Sequence, residues 1–181
     1  MKQIVINEFP THAWITRNKS VKINGQKMYS GMNHYTRTDF VSYLRSEIAK
    51  FIPTDFNLDG YTPLQISMEW WVPPNYETVK MKAKSKKESF SLNGGLVIEN
   101  KKYDPRFDVD NQWIWIKCFT DVISKDLKLI PEDNVKHVPR NGGITFVPVS
   151  KLEERKIIFK LERIEEGEYL NKLKHYFNYD I

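Results

Sequence analysis

The chain has 181 residues with 28 Lys and Arg against 23 Asp and Glu, so its size suits one domain and its formal charge of +5 mildly favours a polyanionic partner. Apolar residues make up 40% and aromatic residues 13%, which excludes wholesale disorder, and no apolar run is long enough to predict a membrane span. The single cysteine, Cys118, excludes an internal disulfide framework and a cysteine-based zinc site, and the start of the chain shows no signal peptide, so we expect a soluble, cytoplasmic protein.

The first part of the chain predicts strands and one helix. Branched apolar residues at 3–7 indicate a short strand, and an Asn-Gly pair within 21–29 predicts a hairpin with a tight turn. Thr38 is a suitable N-cap for a helix at 39–51, where apolar residues recur at helical spacing. Residues 64–72 alternate between apolar and polar side chains, which is typical of a strand with one buried face.

Residues 79–102 differ in character and predict a flexible or hairpin insertion. Eight basic and three acidic residues lie between Val79 and Arg106, a balance of +5 that equals the net charge of the whole chain. The insertion's densest basic cluster consists of Lys80, Lys82, Lys84, Lys86 and Lys87. Such a cluster is either an electrostatic arm for a polyanion or a solvated loop with no partner.

The second part of the chain predicts a buried helix, two strands and a terminal helix. Residues 112–125 are apolar over most of a helical circumference, which is typical of a helix buried on more than one side. Strands are expected at 134–138 and 155–164, and an amphipathic helix at 167–178. This order of elements indicates a single α+β domain with a mixed β-sheet packed by helices.

The residues with the clearest chemical meaning are Asp108-Val109-Asp110-Asn111, directly before the buried helix. In an extended segment Asp108 and Asp110 point to the same side, and two carboxylates so placed cannot easily share a low-dielectric space unless a cation neutralises them. Hard oxygen ligands favour Mg²⁺ or Mn²⁺, which keep several waters and accept phosphate oxygens. Asn111 can cap the helix or orient Asp110.

Further charged residues follow at informative spacings. Lys117 lies two helical turns after Asp110, and Asp121 shares its face at i,i+4. Glu132 and Asp133, in a loop, can supply another carboxylate. Taken singly, each feature also fits a turn or a surface ion pair. Their order, with a lysine beside a carboxylate cluster, favours metal-assisted phosphodiester hydrolysis.

That order resembles the RusA family of Holliday-junction resolvases, whose pattern is Asp-x-Asp-Asn at a helix start, a Lys and an Asp within the helix, and an acidic pair before a strand. A polar, basic N-terminal stretch with a Tyr-Ser element and a strand ending in proline also match. The resemblance covers residues 1–164 as a nuclease domain and leaves the insertion at 79–102 and an extension at 165–181 as additions.

The resemblance implies a homodimer that binds four-way DNA junctions in recombination and repair and resolves them by paired symmetric nicks with Mg²⁺, for which Mn²⁺ can substitute. By position, Asp108 and Asp110 match the first two metal-binding acids and Asp133 matches the third. Glu132 matches the first member of the acidic pair, and Lys117, displaced along the helix, is the candidate for the catalytic lysine.

The chain departs from the family pattern at this lysine. The family lysine lies three residues after the Asn, where this chain has Ile114, and Asp121 is displaced by the same three residues. One extra helical turn keeps Lys117 on the same face but moves it about 5 Å along the helix axis.

Junction arms present phosphates in many directions, so binding by shape needs a spread-out basic surface. The candidate DNA contacts are Lys80, Lys82, Lys84, Lys86, Lys87, Arg106, Arg17 and Lys19. Two alternatives remain open. The first is a non-catalytic protein that binds DNA structures on the same fold, and the second is an interaction protein whose basic loop binds an acidic protein.

Overall fold

The structure is a computed structural model, and it describes residues 1–7, 9–10, 12–17, 19–23, 25, 28, 31–72, 112–134, 137–165, 167, 171 and 175. In chain order the elements are β1 (Lys2–Asn7), β2 (His12–Thr16), β3 (Lys19–Lys22), α1 (His34–Ala49), β4 (Leu64–Val72), α2 (Trp113–Asp121), a π-helical segment (Val122–Asp126), β5 (Arg140–Pro148), a 3-10 turn (Leu152–Glu154) and β6 (Lys156–Arg163).

A four-stranded mixed sheet organises the domain in the order β1-β6-β4-β5. β6 pairs antiparallel with both β1 and β4, whereas β4 and β5 run parallel. A separate antiparallel ribbon is formed by β2 and β3. The prediction of an α+β domain with a mixed sheet is therefore confirmed.

Strand β4 lies inside the sheet and shows why alternation predicts burial. Its residues alternate strictly between buried and half-buried positions. The buried ones, Leu64, Ile66, Met68, Trp70 and Val72, belong to one core with the apolar faces of both helices. Side chains of a strand alternate between the two faces of the sheet, so this single face of β4 forms the base of the core.

Helix α2 is buried almost all round, as its composition predicts. Ile114, Trp115, Ile116, Cys118 and Phe119 are all buried, and only Lys117 is exposed. Its Phe119 ring stacks on Phe159 of β6 with centroids 4.1 Å apart and planes 6° from parallel. Helix α2 is thereby fixed against the sheet.

Several predicted boundaries are wrong. Helix α1 begins at His34, because Asn33 caps it by accepting a hydrogen bond from the Thr36 N–H at 2.9 Å. Thr38 therefore lies inside the helix, where its hydroxyl donates to the His34 carbonyl. The N-terminal hairpin is the β2–β3 ribbon, and the predicted hairpin at 21–29 is wrong since Gly25 and Met28 are helical.

The strand predicted at 134–138 is also wrong in its described residues, which form turns, and the strand is β5. Two glycines inside β5 interrupt the alternation of apolar and polar side chains by which a strand is recognised in a sequence. A Cβ on Gly142 would come within 2.7 Å of the Ser67 Cβ, and Gly143 has a φ of +83°, where the register of β4 and β5 is irregular.

The strands predicted at 3–7, 64–72 and 155–164 correspond to β1, β4 and β6. Of the predicted terminal helix, 171 and 175 are described and are helical. The insertion at 79–102 lies outside the described residues. In the described part of the chain, no helix is both long and apolar enough to cross a membrane.

The stacked pair between α2 and β6 should dominate the stability of this packing. Phe159→Ala should lower the free energy of unfolding by about 3–5 kcal/mol, because it removes a fully buried ring and leaves a cavity. Denaturant unfolding measures the change. The control Val5→Ala, at an exposed position of β1, should cost about 0.5 kcal/mol or less. Equal losses for the two variants would contradict the assignment of the core face.

Candidate functional site

A cleft of about 220 Å³ opens where α2 meets the first residues of β4 and β5. Its walls combine apolar residues with one cation, one carboxylate and two neutral polar groups. The residues lining it are Ile66, Trp113, Ile116, Lys117, Thr120, Asp133, Val138 and Asn141. The cleft thus brings together Lys117 and Asp133, two of the residues that the sequence analysis selected.

Helix α2 positions Lys117 and Asp121 on one face, as their i,i+4 spacing predicts. The side chain of Lys117 is 41% exposed and that of Asp121 only 6%, with Lys117 Nζ 3.5 Å from Asp121 Oδ2. Lys117 therefore reaches solvent at the cleft while its charge also neutralises a buried carboxylate.

Lys125 joins this group, although the sequence analysis did not select it. Its Nζ lies 2.5 Å from Asp121 Oδ1 and 3.2 Å from Asp133 Oδ2, so one ammonium bridges two carboxylates. The contact ties the loop carrying Asp133 to the end of the α2 face. The available signal was the repeat Lys117-Asp121-Lys125 at four-residue intervals, which places a cation on each side of one acid.

The electrostatics of Asp121 reflect this double pairing. Burial by itself raises the pKa of the Asp121 carboxyl, but the hydrogen bond from Lys125 and the charges of Lys117, Lys125 and Arg45 outweigh it and lower the pKa below its usual value. The same hydrogen bond raises the pKa of Lys125. Asp121 is therefore a structural anion at neutral pH rather than a proton donor.

The two neighbouring acids Glu132 and Asp133 lie in different environments. The Asp133 side chain is 39% exposed and lines the cleft. Glu132 accepts a hydrogen bond from the Asn134 amide and does not line the cleft. Among the described residues there is no group of three or more His, Cys, Asp or Glu that could hold a metal ion. Of the two predicted metal ligands that the structure describes, Asp133 lines the cleft and Glu132 does not.

The other candidate residues are distributed as follows. Arg17 and Lys19 are exposed at the turn of the β2–β3 ribbon, and neither lines the cleft. The predicted ligands Asp108 and Asp110 lie outside the described residues, as do the candidate DNA contacts Lys80, Lys82, Lys84, Lys86, Lys87 and Arg106. Their roles stay predictions.

Cys118 is buried on α2, next in sequence to Lys117. Burial, followed by the negative charge of Asp121, raises the pKa of its thiol to about 12. The nucleophilic form of a cysteine is the thiolate, which is negligible here at neutral pH. The cleft therefore offers a lysine and a carboxylate for chemistry, but no activated thiol.

No protein-family model, no curated protein and no solved structure matches this chain. The geometry of the cleft and the sequence motif beside it thus provide the basis for a functional proposal.

Asp121→Asn should lower the free energy of unfolding at pH 7 by about 1–3 kcal/mol, because two lysines lose a charged acceptor. The folded-state pKa of Asp121 is depressed, so its stabilisation is fully present above the unfolded pKa of about 4 and disappears as pH falls through the lower folded value. The difference between wild type and variant should therefore shrink towards pH 2. Urea unfolding as a function of pH provides the measurement.

The matched control is Glu47→Gln on α1, where the acid pairs with the exposed Lys50 at i,i+3. Such surface pairs contribute little, so no measurable change in unfolding is expected. A loss for Asp121→Asn that stays constant from pH 7 to pH 2 would show that its charge is not the stabilising property.

Proposed function

We propose that this chain is a metal-dependent, structure-selective endonuclease of the RusA type, which resolves four-way DNA junctions by paired symmetric nicks. One observation carries the proposal. Lys117, on helix α2, and Asp133, in the loop before β5, line a single cleft together with Trp113. In the sequence, Asp110 precedes Trp113 by three residues, so the Asp-x-Asp motif leads directly into the helix that forms this cleft.

The charged residues of the cleft support a role in phosphodiester hydrolysis. Lys117 presents a partly exposed cation that can bind a phosphate oxygen and stabilise the charge that develops on it. Asp121 forms an ion pair with this lysine, and Lys125 forms ion pairs with both Asp121 and Asp133. Ion pairs to the buried carboxylate of Asp121 therefore restrain Lys117 directly and Asp133 through Lys125.

The proposal assigns Asp108, Asp110 and Asp133, with Glu132 next to them, as the carboxylates for Mg²⁺ or Mn²⁺. When bound, the metal supplies an activated water and stabilises the leaving oxygen of the DNA strand. Asp133 fits this role because it is an exposed oxygen donor in the cleft. The chain's own contribution is to hold that carboxylate through Lys125 and to bind the phosphate through Lys117.

The wider assembly belongs to the same proposal. A homodimer would present two clefts about a two-fold axis, which suits the two-fold character of a four-way junction. Arg17, Lys19, Arg106 and the lysines Lys80, Lys82, Lys84, Lys86 and Lys87 would contact phosphates of the junction arms. A DNA substrate of this kind accords with a cytoplasmic location.

Cleavage of a labelled synthetic four-way junction, beside a linear duplex, tests the proposal. Paired nicks confined to the junction are expected with Mg²⁺ or Mn²⁺ and none with EDTA. Asp110→Asn and Asp133→Asn should each reduce cleavage by about 10²-fold or more while junction binding in EDTA is retained, because they remove metal ligands rather than phosphate contacts.

Asp126→Asn is the matched control for Asp133→Asn. The Asp126 side chain is 37% exposed, close to the value for Asp133, but it pairs with Arg45 and does not line the cleft. Its cleavage rate should equal that of the wild type. Equal losses of cleavage in the two variants would place the effect in folding and would overturn the assignment of Asp133.

Lys117→Met tests the lysine that departs from the family spacing. Cleavage should slow by about 10²-fold, because a cation aimed at developing phosphate charge is removed. Junction affinity should change much less, because the cations proposed to contact the junction arms remain. Lys50→Met on α1 should cleave at the wild-type rate.

A second candidate function is a non-catalytic protein that binds DNA structures. It is favoured by the 3.5 Å contact of Lys117 with Asp121, which commits the lysine in part to a structural pair. A wild-type protein that shifts the junction in a gel but never nicks it with either metal would establish this candidate and exclude the nuclease.

A further inference from the structure

The β2–β3 ribbon carries an exposed tryptophan on the face directed away from the core. Ala13 of β2 is fully buried and belongs to the core, whereas Trp14, its neighbour, is 55% exposed. Successive side chains of a strand point to opposite faces, so burial of Ala13 forces the indole outward. Tryptophan is highly buried on average in folded proteins, so an indole exposed to this extent is a large apolar surface available to a ligand.

The same segment of chain has an unusual charge distribution. Residues 9–38 contain five Lys and Arg residues and no Asp or Glu. Two of these cations, Arg17 and Lys19, are exposed at the turn of the ribbon. In the ribbon, Trp14 lies opposite Ser20, and Thr16 lies opposite Lys19. Lys19 is therefore the sequence neighbour of the residue that faces Trp14. An aromatic face and two positive charges therefore share one end of the ribbon.

A second exposed ring belongs to this acid-free segment. Tyr35, in the first turn of α1, is 80% exposed. Among the large apolar and aromatic side chains of the described residues that are exposed, Trp14 and Tyr35 are the aromatic ones. Both lie within residues 9–38, where the positive charge is not diluted by acids. The coincidence of exposed rings with a basic segment whose sequence contains no acid favours a ligand that is both flat and anionic.

We propose that the β2–β3 ribbon binds unpaired nucleotides, with Trp14 stacking on an exposed base and with Arg17 and Lys19 contacting the flanking phosphates. Grooves that combine cations with stacking aromatics bind single-stranded nucleic acid without sequence preference, because every base has a flat face. Bases inside a continuous duplex are already stacked and leave no face for the indole. This inference rests on the proposed function for the choice of DNA as ligand, and it directs the protein to branch points with unpaired bases.

The test measures equilibrium binding in EDTA, so that cleavage does not enter. Fluorescence anisotropy is recorded with three labelled probes, namely oligothymidylate, a forked duplex with unpaired arms and a blunt duplex. Trp14→Ala should weaken binding to oligothymidylate and to the fork about tenfold, as expected for the loss of one stacked base, and binding to the blunt duplex less than twofold. Trp14→Phe, which keeps an aromatic face, should retain most of the affinity.

Salt dependence separates the roles of the ring and the cations. Trp14→Ala should leave the slope of log affinity against log salt unchanged, because the indole displaces no counterions. The double variant Arg17→Ala/Lys19→Ala should weaken binding to all three probes and reduce the slope by about 1.4 for single strands, since two phosphate contacts are lost. Leu127→Ala, another exposed apolar position outside this segment, is the control and should bind every probe as the wild type does.

The outcomes distinguish the inference from the proposed function. If Trp14→Ala weakens all three probes equally, or none, the stacking assignment is overturned even when the wild type cleaves junctions. If the single-strand preference is lost in Trp14→Ala but the wild type nicks no junction, the inference stands and the nuclease proposal fails. A wild type that binds polyglutamate but none of the DNA probes overturns the inference and identifies an acidic protein as the partner.

Discussion

The carboxylate of Asp121 is almost fully buried in a mostly apolar helix, and a buried charge is tolerated only when it is paired. Lys117 supplies one partner from the turn before it and Lys125 supplies the other from the turn after it. Because Lys125 also contacts Asp133, the same constraint extends from α2 to the loop before β5. The neutralisation of one buried charge thus links the two charged residues that line the cleft, Lys117 and Asp133.

The fold could be predicted where local pattern and tertiary environment agree. In β4 the alternation of apolar and polar residues equals the alternation of core and surface, so both the strand and its buried face follow from the sequence. Helix α2 has too many apolar residues for one face, and the structure buries nearly all of it. These elements are determined by burial, which the order of side chains records directly.

The elements that were misplaced depend on contacts that no local pattern records. β5 contains two glycines and is a strand because it lies parallel to β4, with Gly142 against Ser67 where a larger residue would collide. The N-terminal hairpin was predicted at 21–29, further along the chain than the β2–β3 ribbon, because an Asn-Gly pair in isolation is a strong turn signal. Helix α1 begins after Asn33, which is as good an N-cap as Thr38 and lies five residues before it in the sequence.

The candidate site was predictable in its helical half. Helical spacing places Lys117 and Asp121 on one face, and the structure has them there. The approach of Asp133 depends on how the loop folds back on α2, which sequence spacing cannot determine, and the bridging role of Lys125 appears only once that approach is known. The Asp108 and Asp110 motif and the lysine cluster lie outside the described residues, so the chemistry assigned to them rests on the sequence pattern.

The burial of Cys118 gives this molecule an internal reporter. It is the sole cysteine of the chain, it lies on α2 between Lys117 and Phe119, and its thiol, with a pKa of about 12, is shielded in the native state. A thiol reagent can therefore modify the protein only while an opening of the native structure exposes this side chain, and the modification rate measures how often that happens. A ligand that tightens the cleft slows this reaction without touching the sulfur, so occupancy can be read chemically, with no label added to the protein.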